Sequence, residues 1–191
     1  MNYKTNFNST FANRGMGLEN DINETNKYYR DYDIALIYKK HTPIRITKTD
    51  YKNLRITDGF FETQSTLDYN GVYKGYYIEF DAKITNKGFL PISNIASHQL
   101  KHIERVINHG GIIFLLIMIN NECYILPGKK VLDFIDKKER KSIPYSYIKE
   151  NGIMLKYSYL KGVDYIKGLD TLIEEIKWYE KDKRIKRKNE E

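Results

Sequence analysis

Eight consecutive apolar residues, Ile112 to Ile119, constrain this chain more than any other feature. Half of them are isoleucine, and a run of that length and branching suits a buried β-strand. It is far too short to cross a bilayer as a helix, and no longer apolar run exists, so no membrane partner is expected. Asn120-Asn121, a dipeptide suited to positive φ, then turns the chain into a second strand, Glu122 to Leu126.

The strand that carries the chemistry precedes these. Along Tyr76 to Thr85, Ile78, Phe80, Ala82 and Ile84 point one way, and Tyr77, Glu79, Asp81 and Lys83 the other. Periodicity alone favours a strand with a polar, solvated face. The preceding segment shifts the balance. Thr66 and Asp68 share one face of an extended chain, and Asn70-Gly71 offers a turn. Two adjacent strands would then group Asp68, Asp81 and Lys83, with Thr66 close by. Grouped carboxylates suit a hard divalent cation such as Mg²⁺, which prefers oxygen ligands and keeps several waters. A lysine on the same side can orient the attacking water or offset charge on the phosphorane. These are the parts of metal-assisted phosphodiester hydrolysis.

The remaining elements are legible from caps and periods. A first helix follows Asn13-Arg14-Gly15, with Leu18, Ile22 and Thr25 on one face. Asp33 to Tyr38 reads as a strand, and Pro43 to Ile46 with Leu54 to Phe61 as a hairpin turning near Asp50 to Asn53. Ser93 or Asn94 can cap a helix that buries Ile95, Ile103, Val106 and Ile107 and ends at Gly110-Gly111. A short helix near Lys130 to Asp136, a strand near Ile153 to Tyr157 and a terminal helix from Asp164 complete the list. That order makes an α/β domain, a mixed sheet flanked by helices with an inserted hairpin. Residues 1–12 read as a flexible segment, 13–180 as one domain with its insertion at about 39–64, and 181–191 as a frayed basic tail. Trp178 is expected to anchor the last helix. The polar N-terminus has no apolar stretch of a secretory signal, which points to the cytoplasm. One cysteine, Cys123, excludes an internal disulfide and a cysteine-built zinc site, leaving a small core residue.

Charge localises the partner. The formal net charge is +7, which favours a polyanion. Between Lys39 and Ile56, Lys39, Lys40, Arg45, Lys48, Lys52 and Arg55 face only Asp50, with Tyr51, Phe60 and Phe61 in or beside the same hairpin. Cations for phosphates and aromatics for unstacked bases suit DNA. His98 and His102 lie four apart, but no partner ligands are apparent, so they read as structural or DNA-facing.

Asp68 followed by Asp81-Ala82-Lys83 resembles the acidic-and-lysine signature of the restriction-endonuclease-like nucleases. The surrounding text is more specific. Asn13-Arg14-Gly15-Met16, Leu18-Glu19, Thr42-Pro43-Ile44, Asp68-Tyr69-Asn70-Gly71-Val72-Tyr73-Lys74-Gly75, His98-Gln99, Gly110-Gly111 and Lys141-Ser142-Ile143-Pro144 together resemble the RecU family of Holliday-junction resolvases, in order from about Asn13 to Asp164. The resemblance implies a restriction-endonuclease-like fold and a homodimer that cuts four-way DNA junctions in recombination and repair, using Mg²⁺ or Mn²⁺. It implies Thr66, Asp68, Asp81 and Gln99 at the metal and Lys83 as transition-state stabiliser. Glu19, and Glu79 on the catalytic face, are additional acidic candidates. The hairpin becomes a stalk entering the junction centre, with Arg45, Lys48 and Lys52 on phosphates, Phe61 as the stacking residue, and Arg14 as a further phosphate contact. A recombinase or branch-migration motor is a candidate partner. Two departures stand out: the family carries glutamate in place of Asp81 and threonine in place of Leu67. They motivate an alternative, a junction-binding protein with weak or no nuclease activity.

Overall fold

The computed structural model describes residues 11–62, 66–158 and 162–190; of these, the side chains of 11–16, 157–158 and 179–190 are not described. In chain order come α1 (Phe11–Asp31), β1 (Leu36–Lys39), β2 (Ile44–Asp50), β3 (Arg55–Phe61), β4 (Tyr69–Tyr73) and β5 (Tyr76–Thr85). Then follow β6 (Phe89–Pro91), α2 (Ser97–Asn108), β7 (Ile112–Ile119), β8 (Glu122–Pro127), α3 (Gly128–Asp136) and β9 (Ser142–Pro144). Last are α4 (Tyr145–Asn151), β10 (Ile153–Leu155), β11 (Tyr157–Ser158), β12 (Gly162–Val163) and α5 (Ile166–Glu190).

Six strands form one mixed sheet in the order β1-β4-β5-β7-β8-β10. Only β5 and β7 run parallel, and α2 makes their crossover. The continuous apolar run is explained by this position. Ile112, Phe114 and Leu116 pack into one core with α1 and α5, while Leu115, Ile117 and Ile119 pack with Val131 and Ile148 on the other face. Ile113 joins Ile103 and Val106 of α2. Phe80 stacks between Tyr69 and Phe114, with ring centroids 4.8 and 4.9 Å apart, which ties the first core together across three strands. Cys123 is buried, and burial pushes its thiol up to about 12, so it is a packing residue.

The helical cover is unequal. On the face that carries Glu79 and Asp81, α2 and α3 cover β7 and β8. Leu36, Val72 and Tyr77, a row across β1, β4 and β5, remain exposed. The charged side of β5 thus sits at the border between covered and open sheet.

The hairpin stands apart, with β2 and β3 paired in a sheet of their own and almost every residue exposed. Asp50 Oδ1 accepts the Lys52 and Asn53 amides at 3.0 and 3.2 Å, and Leu54 takes φ +52°, so the turn falls where expected.

Four expectations need correction. The turn between the catalytic strands is not Asn70-Gly71 but Lys74-Gly75, at φ +49° and +81°. Gly71 lies inside β4, where β1 passes too closely for a side chain. Ser93 and Asn94 sit in a separate 3-10 turn, and α2 starts at Ser97 with Ala96 as its N-cap. Trp178 does not anchor α5, being 68% exposed. The stretch read as a frayed tail continues as helix to Glu190.

Candidate active site

The β4–β5 register sets Tyr69 opposite Phe80 and Asn70 opposite Glu79, which brings Asp68, just ahead of β4, beside Asp81. Asp81 is 1% exposed. Its Oδ2 takes an ion pair from Lys83 Nζ at 2.7 Å and a hydrogen bond from Gln99 Nε2 at 3.1 Å. Its Oδ1 is buried and, the Asp68 carboxyl apart, has no donor among the described residues. Burial, reinforced by a hydrogen bond to Asp81 and the repulsion of its charge, pushes the Asp68 carboxyl up to about 7, against the opposing pull of Lys83. Two carboxylates thus share one pocket, with Asp68 holding its proton towards Asp81 and no other described donor on Asp81 Oδ1.

Those features fit a divalent cation. A buried oxygen short of donors and a proton held by burial and a neighbouring carboxylate are what a bound cation would satisfy and displace. Among the described residues no group of three or more His, Cys, Asp or Glu forms a ready cage, and the two adjacent carboxylates are Asp68 and Asp81.

Thr66 and Gln99 sit at the site with their polar groups engaged. Gln99 Oε1 accepts the Ala96 amide at 3.1 Å, and Nε2 spans the Thr66 carbonyl at 2.9 Å and Asp81. It presents donors rather than an oxygen, and it fixes Asp81 against the N-terminus of α2. The Thr66 hydroxyl donates to Glu79 at 3.0 Å and accepts from Lys40.

Glu79 is fully buried and both its oxygens are occupied. Oε1 takes Lys40 Nζ at 2.8 Å, the Thr66 hydroxyl and the Leu67 amide at 3.4 Å; Oε2 takes Tyr77 OH and His102 Nε2, each at 2.8 Å. A carboxylate only accepts, so His102 Nε2 carries the proton. Burial pushes the Glu79 carboxyl up, but Lys40, His102 and Tyr77 outweigh it and hold it below the usual range. Both oxygens of Glu79, an additional acidic candidate, are thus engaged by protein donors. Glu19 on α1 pairs with Lys39 and lies near enough to raise Asp68 electrostatically.

Leu67 is buried against Ile103, Val106 and Ile113, on the α2 side of the sheet that also carries Asp81, and not on the opposite side from Asp68 as its alternation with Thr66 and Asp68 suggests. Arg45, Lys48, Lys52 and Phe61 are exposed along the hairpin, Phe61 at 75%. Arg14 lies in the first turns of α1, and its side chain is outside the described residues. Sequence reasoning missed Lys40, Tyr77 and the role of His102. The four-residue spacing of His98 and His102 was visible, but the partner of His102 lies on β5.

The recombination protein U (RecU) family model matches residues 13–171. The Holliday junction resolvase RecU of Geobacillus kaustophilus is 43% identical over 171 residues, covering 85% of this chain and 86% of that protein. The same-named protein of Bacillus cytotoxicus is 45% identical over 170 residues, covering 84% and 85%. Among solved structures, Hjc of Archaeoglobus fulgidus, a Holliday junction resolvase, matches with a TM-score of 0.45 at 9% identity over 73% of this chain and 94% of that one.

Proposed function

The chain belongs to the RecU family, and from that membership we propose that it is a Holliday-junction resolving endonuclease that hydrolyses phosphodiesters in recombination and repair. The observation that carries the chemistry is the buried Asp68–Asp81 pair with Lys83 on Asp81 Oδ2, at the open border of the sheet. Asp68 and Asp81 would hold Mg²⁺, or Mn²⁺ in its place. Bound there, the cation supplies Lewis acidity towards the scissile phosphate. Gln99 and Thr66 keep Asp81 in place. Lys83, anchored by Asp81, places its remaining donors where negative charge grows on the phosphoryl oxygens. Symmetric resolution takes two nicks, so the working unit is a homodimer, acting on DNA in the cytoplasm. No helix of the described residues is long and apolar enough to cross a membrane.

The test is cleavage of a labelled four-way junction against linear duplex with Mg²⁺ or Mn²⁺. Paired, symmetric nicks confined to the junction are expected. Binding without nicking under either metal would leave a junction-binding protein, and equal cleavage of duplex would leave a nuclease without structural selectivity.

The hairpin should contribute affinity rather than chemistry. Replacing Lys48 and Lys52 together by Ala should weaken junction binding and lower the slope of log affinity against log salt by about 2, roughly 0.9 for each lost phosphate contact. Phe61→Ala should weaken junction binding by about 1–3 kcal/mol, as expected for one stacked base, and leave duplex binding nearly unchanged. An unchanged salt slope would remove the hairpin cations from the interface.

Metal binding should depend on pH in a defined direction. The Asp68 carboxyl moves from an ordinary 3.8 to about 7 on folding, so the folded chain holds this proton more tightly than the unfolded one. That contribution to stability is complete below 3.8 and is lost as pH rises through about 7. A cation must displace the proton, so Mg²⁺ should raise Tm little near pH 5 and clearly at about pH 8. Melting curves with EDTA or Mg²⁺ decide the matter, and equal increments at both pH values would dissociate Asp68 from the metal.

A further inference from the structure

Lys40 and Thr66 flank the hairpin insertion on either side, and both converge on one buried carboxylate. Lys40, just after β1, reaches Glu79 Oε1 at 2.8 Å, and Thr66 reaches the same oxygen at 3.0 Å as the chain returns towards β4. The Lys40 amide also donates to the Asp68 carbonyl at 2.7 Å. His102 and Tyr77 hold the second oxygen of Glu79 from α2 and β5. Five donors from four parts of the chain thus meet on a side chain two residues before Asp81, and Thr66 lies two residues before Asp68. Only a carboxylate accepts from so many donors at once. Its desolvation would be a needless cost if the site required packing alone, since an apolar side chain fills such a volume more cheaply.

The hairpin needs such an anchor. Its strands pair with each other and expose nearly every residue, so its direction relative to the sheet is fixed at its base. We propose that Glu79 is a positioning residue that clamps both ends of the hairpin to the cleavage strand, so that where the hairpin docks on branched DNA determines which phosphodiester meets Asp68, Asp81 and Lys83. The proposal rests on the resolvase reading and adds a selectivity device to it. Displacements of an ångström suffice to lose large factors in rate, so a clamp at this point controls both rate and cleavage position.

Lys40→Met keeps an unbranched stem and removes the ammonium arm of the clamp, Lys40→Arg keeps the charge, and Glu79→Gln is a near-isosteric second variant. Two measurements are made on the full chain. In the DNA-free protein, amide hydrogen exchange across residues 39–43 and 66–69 should quicken by about tenfold in Lys40→Met, with β7 and β8 unchanged and Lys40→Arg close to wild type. On a labelled four-way junction with Mg²⁺, Lys40→Met and Glu79→Gln should spread their nicks over several positions. Their kcat should fall by about tenfold or more with KM nearly unchanged, and Lys40→Arg should restore paired nicks. Unchanged exchange, or wild-type nick positions and kcat in Lys40→Met, overturns the proposal while leaving an active resolvase. A wild type that nicks no junction overturns it together with the reading on which it rests.

Discussion

Asp81→Asn should abolish nicking of four-way junctions while leaving the protein at least as stable as before. Asparagine fills the same volume and keeps an oxygen for Lys83 and Gln99, whose bonds to Oδ2 measure 2.7 and 3.1 Å. Its amide can occupy the place of Oδ1 and donate to Asp68, which removes the charge that helps to hold a proton there. The folded chain loses a buried oxygen short of donors, and Asp68 returns towards an ordinary carboxylate. The pocket also loses half of its anionic donor set. A divalent cation is worth several kcal/mol to phosphoryl transfer, and a loss of about 4 kcal/mol is roughly a thousandfold in rate. Three readouts should therefore separate: kcat falls by about that factor, junction affinity without metal stays the same, and Mg²⁺ no longer raises Tm at about pH 8. Persistent Mg²⁺-dependent nicking within about tenfold of wild type would mean that the cation sits elsewhere. A large fall in stability would mean that Asp81 Oδ1 is satisfied in solution.

The elements legible in advance were those whose signal is local. The alternation in β5, the apolar run of β7 and the positive φ of Asn120 and Asn121 at +50° and +64° need nothing beyond their neighbours in sequence. Asp68, Asp81 and Lys83 could be grouped because period two and one hairpin suffice to bring them together. Elements decided by distant contacts were not legible. The three-residue strands β6 and β9 exist because Phe89–Pro91 meets Ser142–Pro144, more than fifty positions away. Gly71 looked like a turn residue because its reason for being glycine, the passage of β1, cannot be seen from β4. Glu79 looked like a spare ligand because its alternation places it on the catalytic face. Only the fold shows that Lys40, Tyr77 and His102 have already taken its oxygens. Gln99 does reach Asp81, but the direction of its amide depends on where α2 begins, and that start was misjudged.

Gly71→Ala should be among the most damaging single methyl additions to this chain. In the β1–β4 register Gly71 faces Ile37, and a Cβ added there would lie 1.9 Å from the Leu36 carbonyl oxygen and 2.6 Å from the Ile37 Cα. Both are backbone atoms, so no side-chain rotation relieves the clash and β1 must move. Overpacking of this kind costs about 3 kcal/mol. By contrast, Gly75 in the turn has φ +81° and open space around it, so Gly75→Ala should cost only about 1 kcal/mol, for the left-handed backbone. Urea denaturation of the two variants separates steric exclusion from backbone strain. A Gly71→Ala cost no greater than that of Gly75→Ala would show that β1 does not approach β4 as described. The damage should also extend to function. β1 leads directly into Lys40, whose amide holds the Asp68 carbonyl and whose ammonium holds Glu79. A displaced β1 therefore loosens the base of the hairpin and the strand bearing Asp68 together. At a temperature where the Gly71→Ala protein is still fully folded, its kcat on four-way junctions should be lower than that of Gly75→Ala, with the nicks spread rather than paired.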